Sequence, residues 1–171
     1  GDTGTILFNA WDQTSGSFGT RVDATVTGGS TAFSSQVEAA VIVVTSVNDA
    51  PAGTNKTITF NEDTTYIFTA ADFGFTDTDG NSFNRIWVMS LPSQGQLLFN
   101  GSTFAANNFV MKSDIDLGLL TYVTAANANG SGYASFDFQV QDNGGTANGG
   151  VNRDSTSNTI TFNVTAQNDA P

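Results

Sequence analysis

The residues best suited to chemistry in this chain are oxygen donors gathered in short runs. Asp77-Thr78-Asp79-Gly80 sets two carboxylates at i and i+2 and closes them with a glycine that allows a tight turn. Such a run suits an oxygen-ligand site for calcium. It is not an EF-hand loop, because no Glu follows at the closing position, and an ordinary polar turn has the same composition. A second run occurs twice: Asn48-Asp49-Ala50-Pro51, and Asn168-Asp169-Ala170-Pro171. Each copy follows a segment rich in β-favouring residues, Ala39 to Thr45 and Thr159 to Thr165. Proline cannot donate to a β ladder and biases its predecessor toward extended backbone. Each copy is therefore expected to end a last strand and open a stiff joint, with Asn and Asp oxygens at that joint.

Composition narrows the chemistry further. There are 5 Lys+Arg against 16 Asp+Glu, a net charge of −11, which excludes a binder of nucleic-acid phosphates and disfavours anionic membrane surfaces. An excess of carboxylates repels itself unless cations screen it. The chain has no Cys and no His, so the usual structural zinc sites and any Ser-His-Asp or Cys-His pair are excluded. A paired-carboxylate glycosidase is the remaining enzymatic option. Metal binding accounts better for every acidic cluster, and no enzyme is expected. No apolar run is long enough to span a bilayer, and membrane insertion is not expected.

These residues must be positioned by strands. With 14 Phe among 171 residues, the chain can bury a sizeable core. In residues 1–51, Thr5 to Asp12, Arg21 to Thr27 and Glu38 to Val47 read as strands, with a turn over Gly16 to Gly19. Three strands are too few to close a sandwich. Leu7 and Trp11 alternate out of phase with Ile6, Phe8 and Ala10, and Val41 and Val43 out of phase with Ala40, Ile42 and Val44, so both faces are apolar. Neighbouring modules or further chain could cover them, or they could form a patch that meets a partner.

Residues 52–171 read as one complete module. Strands are expected over Lys56 to Phe60, Thr65 to Thr69, Arg85 to Leu91, Gln96 to Phe99, Thr103 to Phe104, Phe109 to Met111, Leu119 to Thr124, Ala134 to Gln141 and Thr159 to Thr165. Asn100-Gly101 is a two-residue hairpin signal. Ser113 to Asp116 reads as a helical turn capped by Ser113. A loop is expected over Asp72 to Gly80, and a long polar loop over Asp142 to Asn158. Seven to nine short strands with frequent turns argue for an antiparallel, Ig-like β-sandwich.

The two pieces repeat one another. Ile6-x-Phe8-x-Ala10-x-Asp12 corresponds to Phe136-x-Phe138-x-Val140-x-Asp142, and Ala40-x-Ile42-x-Val44 to Ile160-x-Phe162-x-Val164, each ending in a joint. Residues 1–51 are thus expected to be the C-terminal portion of a preceding β-sandwich module. The chain, which opens mid-pattern at Gly1, is expected to be an internal piece of a linear array. Leu91-Pro92-Ser93-Gln94-Gly95-Gln96-Leu97, Phe109, Asp114-Ile115-x-x-Gly118-x-Leu120-x-Tyr122 and the Phe136 to Asp142 run resemble the chondroitin-sulfate-proteoglycan type of cadherin-like repeat. Phe8-x-Ala10-Trp11-Asp12-Gln13-Thr14-Ser15-Gly16 and the joint resemble segments of very long bacterial RTX adhesins exported by type I secretion. The resemblance implies an extracellular, calcium-dependent module at the bacterial cell surface, acting in adhesion with neighbouring repeat modules as partners.

Topology places the candidate ligands. In an antiparallel sandwich, the loops after the second and penultimate strands return to the end where the chain came in. They bring Asp77, Asp79, Asp142 and Asn143 to Asn48 and Asp49. Five or six oxygens there approach the six to eight that calcium takes. This is similar to the cadherin seam, which carries a further Asn where Ala50 stands. At the opposite end Glu62, Asp63, Asp114, Asp116 and Asp169 (with Asn168) form a second expected set. Two roles are compatible with this layout: a calcium-rigidified part of an adhesin array, or a recognition domain for a peptide or glycan on another cell surface. The long Asp142 to Asn158 loop and the apolar outer residues of 1–51 are the motive for the second.

Overall fold

The computed structural model describes residues 2–15, 17–21, 23 and 25–169. The start of the expected turn at Gly16, parts of the expected strand over 21–27, and Ala170-Pro171 of the second joint lie outside the described residues. The chain divides into two compact units, Gly1–Ser46 and Val47–Pro171. The Asn48 to Pro51 joint belongs to the second unit.

The first unit is a hairpin. β1 (Thr3–Trp11) pairs antiparallel with β2 (Phe33–Val43), with Ile6 opposite Ala40 and Phe8 opposite Glu38. β2 starts five residues before the expected Glu38 and ends before the joint. The described residues of 21–27 form no strand. Asp23 instead accepts a bond from the Thr25 amide at 2.9 Å, the local turn that Asp offers in place of a ladder. The two-sided apolar alternation is present, with Ile6 55% and Leu7 67% exposed on opposite faces.

The second unit is a β-sandwich with the expected order of elements. β3 (Lys56–Asn61), β4 (Thr65–Ile67), β5 (Phe83–Val88), β6 (Gln96–Phe99), β7 (Ser102–Thr103), β8 (Asn108–Met111), α1 (Lys112–Asp116), β9 (Leu120–Val123), β10 (Gly130–Asp142) and β11 (Asn158–Thr165) follow one another. One sheet runs β3-β11-β10-β5-β8 and the other β4-β9-β6-β7. Every pair is antiparallel except β3 with β11, which are parallel, with Ile58 opposite Phe162. The chain therefore comes in at one pole of the module and leaves at the other. The N-terminal pole carries the start of β5 and the end of β10; the C-terminal pole carries the ends of β3 and β11.

Local sequence explains these elements. Phe136, Phe138 and Val140 of β10 and Ile160, Phe162 and Val164 of β11 are buried, as period-two alternation demands. Asn100 and Gly101 both take positive φ, the signature of the two-residue hairpin turn. The Asp72 to Gly80 loop is more ordered than its composition implies. It opens with a 3-10 turn over Ala70–Phe73, and Thr76 forms a bridge with Ala52. The helical turn starts one residue before Ser113, with Met111 as its N-cap and no side-chain cap, because Met111 is still paired with Arg85 in the sheet.

The core is aromatic. Phe162 stacks on Tyr122 of the facing sheet, with ring centroids 3.9 Å apart and planes 4° from parallel. Phe60, Phe68 and Phe136 surround it at 6.0 to 6.2 Å. A Phe162→Ala substitution removes the ring that joins the two sheets. It is expected to cost about 3–5 kcal/mol, read as a lowered urea midpoint with little change in slope.

Candidate functional site

The N-terminal pole gathers all six residues expected there. The Asn48 amide nitrogen donates to the Val151 carbonyl at 2.6 Å and to the Asp142 carboxylate at 3.2 and 3.4 Å. Its amide oxygen meets the Asn81 amide nitrogen. The Asp49 backbone N–H donates to Asp79 Oδ2 at 2.6 Å. Asp77 Oδ1 accepts from the Asn81 N–H at 2.7 Å. Asn143 Oδ1 accepts from the Ser82 N–H at 2.9 Å. Asp142 is fully buried, because it continues the inward phase of Phe136, Phe138 and Val140; its Oδ1 also accepts the Gly144 N–H at 2.7 Å. Gly144 has no room for a Cβ, which would run into the Asn48 amide.

One oxygen at this pole has no partner. Asp77 Oδ2 is inaccessible to solvent and accepts no hydrogen bond. A buried carboxylate oxygen left unpaired is costly and calls for an explanation. Among the described residues no three carboxylates gather closely enough to hold a metal by themselves. A cation at this pole needs amide or carbonyl oxygens beside the aspartates.

The C-terminal pole gathers Glu62, Asp63 and Asp169. Glu62 is buried and accepts from the Gln167 N–H at 2.7 Å and the Asn129 amide at 2.8 Å. Asp63 Oδ1 accepts the Asn127 N–H at 3.0 Å. With its nitrogen turned toward them, the Asn127 side-chain amide donates to Asp63 Oδ2 at 3.3 Å and Asp169 Oδ2 at 3.0 Å.

Asp114 and Asp116 do not join this set. β8 runs from beside Val88 to beside Arg85, so α1 leaves the sheet toward the N-terminal pole. Asp116 is instead paired with Lys112 at 2.6 Å, one helical turn away. Sequence reasoning put the helical turn at the wrong pole because it did not fix which edge β8 would join.

Several polar residues escaped the sequence reading. Asn81 links Asn48 to Asp77; its only signal is that it directly follows the Asp77 to Gly80 run. At the other pole Asn127 links Asp63 to Asp169, and Asn129 donates to Glu62. Asp154 sits in the long loop yet is buried. Burial alone would raise its pKa, but hydrogen bonds from the Gly53 and Thr156 amides, the Thr156 hydroxyl and the Asn158 side chain prevail and hold it below the usual carboxylate value. Asp154-x-Thr156 is a local turn pattern that could have flagged it. Asp72 follows the same logic: burial raises its pKa, and the Lys56 ammonium at 2.7 Å with the Thr69 amide and hydroxyl outweighs that. The Asp142 to Asn158 loop is tied down, with Val151 N–H donating to the Asn48 carbonyl at 2.8 Å and Gln141 bridging Arg153.

Asn48→Ala leaves Asp142 and the Val151 carbonyl short of a donor and is expected to cost about 1–3 kcal/mol in equilibrium unfolding. Asp154→Asn is expected to destabilise by a similar amount, about 1–3 kcal/mol, at neutral pH. A depressed native pKa contributes stability above the unfolded carboxyl value and loses it as pH falls through the native one. The gap between wild type and Asp154→Asn should therefore close on acidification below about pH 4, read by urea unfolding across pH.

Among the described residues no helix is long and apolar enough to cross a membrane. The sequence model described as a bacterial Ig domain matches residues 48–165, the whole sandwich from its joint to the end of β11. No curated protein and no solved structure matches the chain significantly. Bacterial Ig-like domains are typically non-catalytic, structural modules of extracellular surface proteins. A match over more than half of the chain, carried by a sandwich of this topology, shows that the chain belongs to the bacterial Ig domain family.

Proposed function

We propose that the chain is a calcium-stabilised part of a large bacterial surface adhesin of the type I secreted class, acting in cell adhesion as a rigid length of a modular array. The observation that carries the calcium reading is the orphaned, inaccessible Asp77 Oδ2 beside the joint. Asp77, Asp79, Asp49 and Asp142, with the amide oxygens of Asn48 and Asn143, would hold the ion there by closing in on it, since no three of these carboxylates gather that closely in its absence. A divalent cation would neutralise carboxylates that have few basic partners in a chain of net charge −11, and would tie the joint to the loops it already touches. Hard oxygen donors fit calcium. Recognition of a peptide or glycan is the weaker reading, because the loop that motivated it is hydrogen-bonded to the joint.

The test is a thermal melt in excess calcium and again in chelator, on wild type and Asp77→Asn. Calcium at about 100 times its dissociation constant adds about 2.7 kcal/mol to the native state. For a domain of this size that is a rise of roughly 5–15 °C, and Asp77→Asn should lose most of it. Identical melts with and without calcium would overturn the reading.

A further inference from the structure

The two hairpins of the chain share one register. Adding 130 to each β1 number and 120 to each β2 number turns Gly4↔Ile42, Thr5↔Val41, Ile6↔Ala40, Leu7↔Ala39 and Phe8↔Glu38 into the observed pairs of β10 with β11. The correspondence continues past a ladder irregularity, where Trp11↔Phe33 becomes the Gln141↔Arg153 bridge. It extends to the turn beyond. Asp12 N–H donates to the Ala32 carbonyl at 3.0 Å, as Asp142 N–H does to the Asn152 carbonyl at 3.0 Å. Asp12 Oδ1 accepts the Thr14 N–H at 2.8 Å, as Asp142 Oδ1 accepts that of Gly144 at 2.7 Å. The joint follows at the same offset, Asn48-Asp49 for Asn168-Asp169.

The surroundings of the two hairpins differ completely. In the second unit β10 is flanked by antiparallel β5, β11 by parallel β3, and their inner face is closed by the β4-β9-β6-β7 sheet. Phe136, Phe138, Ile160 and Phe162 are at most 1% exposed there. Their counterparts Ile6, Phe8 and Ile42 are 55%, 47% and 54% exposed. Six shared pairs, a shared irregularity and a shared Asx turn make the flanking strands of β10 and β11 a template for the edges and the inner face of β1 and β2.

We propose that β1 and β2 are the closing hairpin of a second Ig-like module whose other strands precede them in the same polypeptide. One strand lies antiparallel along the free edge of β1, one parallel along the free edge of β2, and a facing sheet covers Ile6, Phe8, Ile42 and Val44. The covered face is the one in phase with Ile6 and Phe8. The Leu7, Val41 and Val43 face matches Asp137, Thr161 and Asn163, which line the outside of the second unit, and it stays outside in the completed module. This assignment rests on the array reading above but not on its calcium.

Backbone hydrogen exchange tests it, in chelator so that calcium plays no part, on the 171-residue chain and on the polypeptide with the roughly 80 preceding residues that a module needs ahead of this hairpin. In the 171-residue chain the β1 and β2 amides should exchange far faster than those of β10 and β11. In the longer polypeptide they should slow by about 100-fold or more, toward the values of β10 and β11. Phe8→Asp should abolish the slowing and Leu7→Asp should leave it. The proposal is overturned if the added residues give no protection, or if protection in the 171-residue chain rises with concentration, which would make a second copy the occupant. It is also overturned if both substitutions act alike. A lost calcium shift with retained protection would sink the calcium reading alone.

Discussion

The parallel pairing of β3 with β11 is the constraint on which the rest of the module depends. A parallel pair cannot be closed by a tight turn; it needs a long crossover. Here the crossover is the entire remainder of the sandwich, from β4 to β10. Because the first and last strands run the same way, the chain comes in at one pole and leaves at the opposite one. An antiparallel pair would have returned the exit to the incoming end. The loop between β4 and β5 and the loop after β10 both reach the incoming pole, so Asn48 and Asp49 meet Asp77, Asp79 and Asp142 there. The meeting of Glu62 with Gln167 at the other pole follows from the same pairing, since β3 and β11 end side by side.

That arrangement delivers carboxylates into places where carboxylates are expensive. Asp142 lies in phase with the core residues of β10, so the alternation that builds the core also buries it. Burying an ionised group is tolerable only with donors around it. For three of the four buried carboxylates the donors in the chain are neutral N–H groups. Asn48 and Gly144 serve Asp142, Gln167 and Asn129 serve Glu62, and Gly53, Thr156 and Asn158 serve Asp154. Among the described residues Asp72 is the buried carboxylate matched by an ammonium, that of Lys56. Amide donors hold their geometry at little desolvation cost and suit the crowded pole, where Gly144 has no space for a side chain. Asp77 breaks the pattern by keeping one buried oxygen without a donor.

Much of this was legible in the sequence, for reasons that differ from element to element. β10 and β11 announced themselves because a strand packed on one side only must alternate, and Phe136 to Val140 and Ile160 to Val164 do. The Asn100-Gly101 turn was legible because few residues accept two consecutive positive φ values. The gathering of Asn48, Asp49, Asp77 and Asp142 followed from topology, with no side-chain detail. What stayed hidden depends on long-range choices. Nothing local says that β8 joins β5, and that choice decides the pole at which Asp114 and Asp116 lie. Asn81, Asn127 and Asn129 act through partners distant in sequence, and Asn is so common here that none stood out. Asp154 looked like loop surface because burial of a loop residue is conferred by what folds over it.

The first unit shows how firmly local chemistry can hold a register that packing on its faces does not enforce. A two-stranded ribbon is marginal by itself, and register is weakly specified where neither face decides which way to turn. β1 and β2 have apolar residues on both faces, so hydrophobic burial alone would permit a one-residue slip. They nevertheless hold the pairing of β10 and β11. The difference is made at the closed end, where the Asp12 carboxylate accepts the Thr14 amide and hydroxyl and the Asp12 N–H reaches Ala32. Those bonds fix the phase of both strands within the hairpin itself. In the second unit the same Asx turn has become a buried part of the joint, with Asn48 on its carboxylate. A device that sets register in the hairpin is thereby also the device that receives the incoming chain, and this links strand phase to the geometry of the joint.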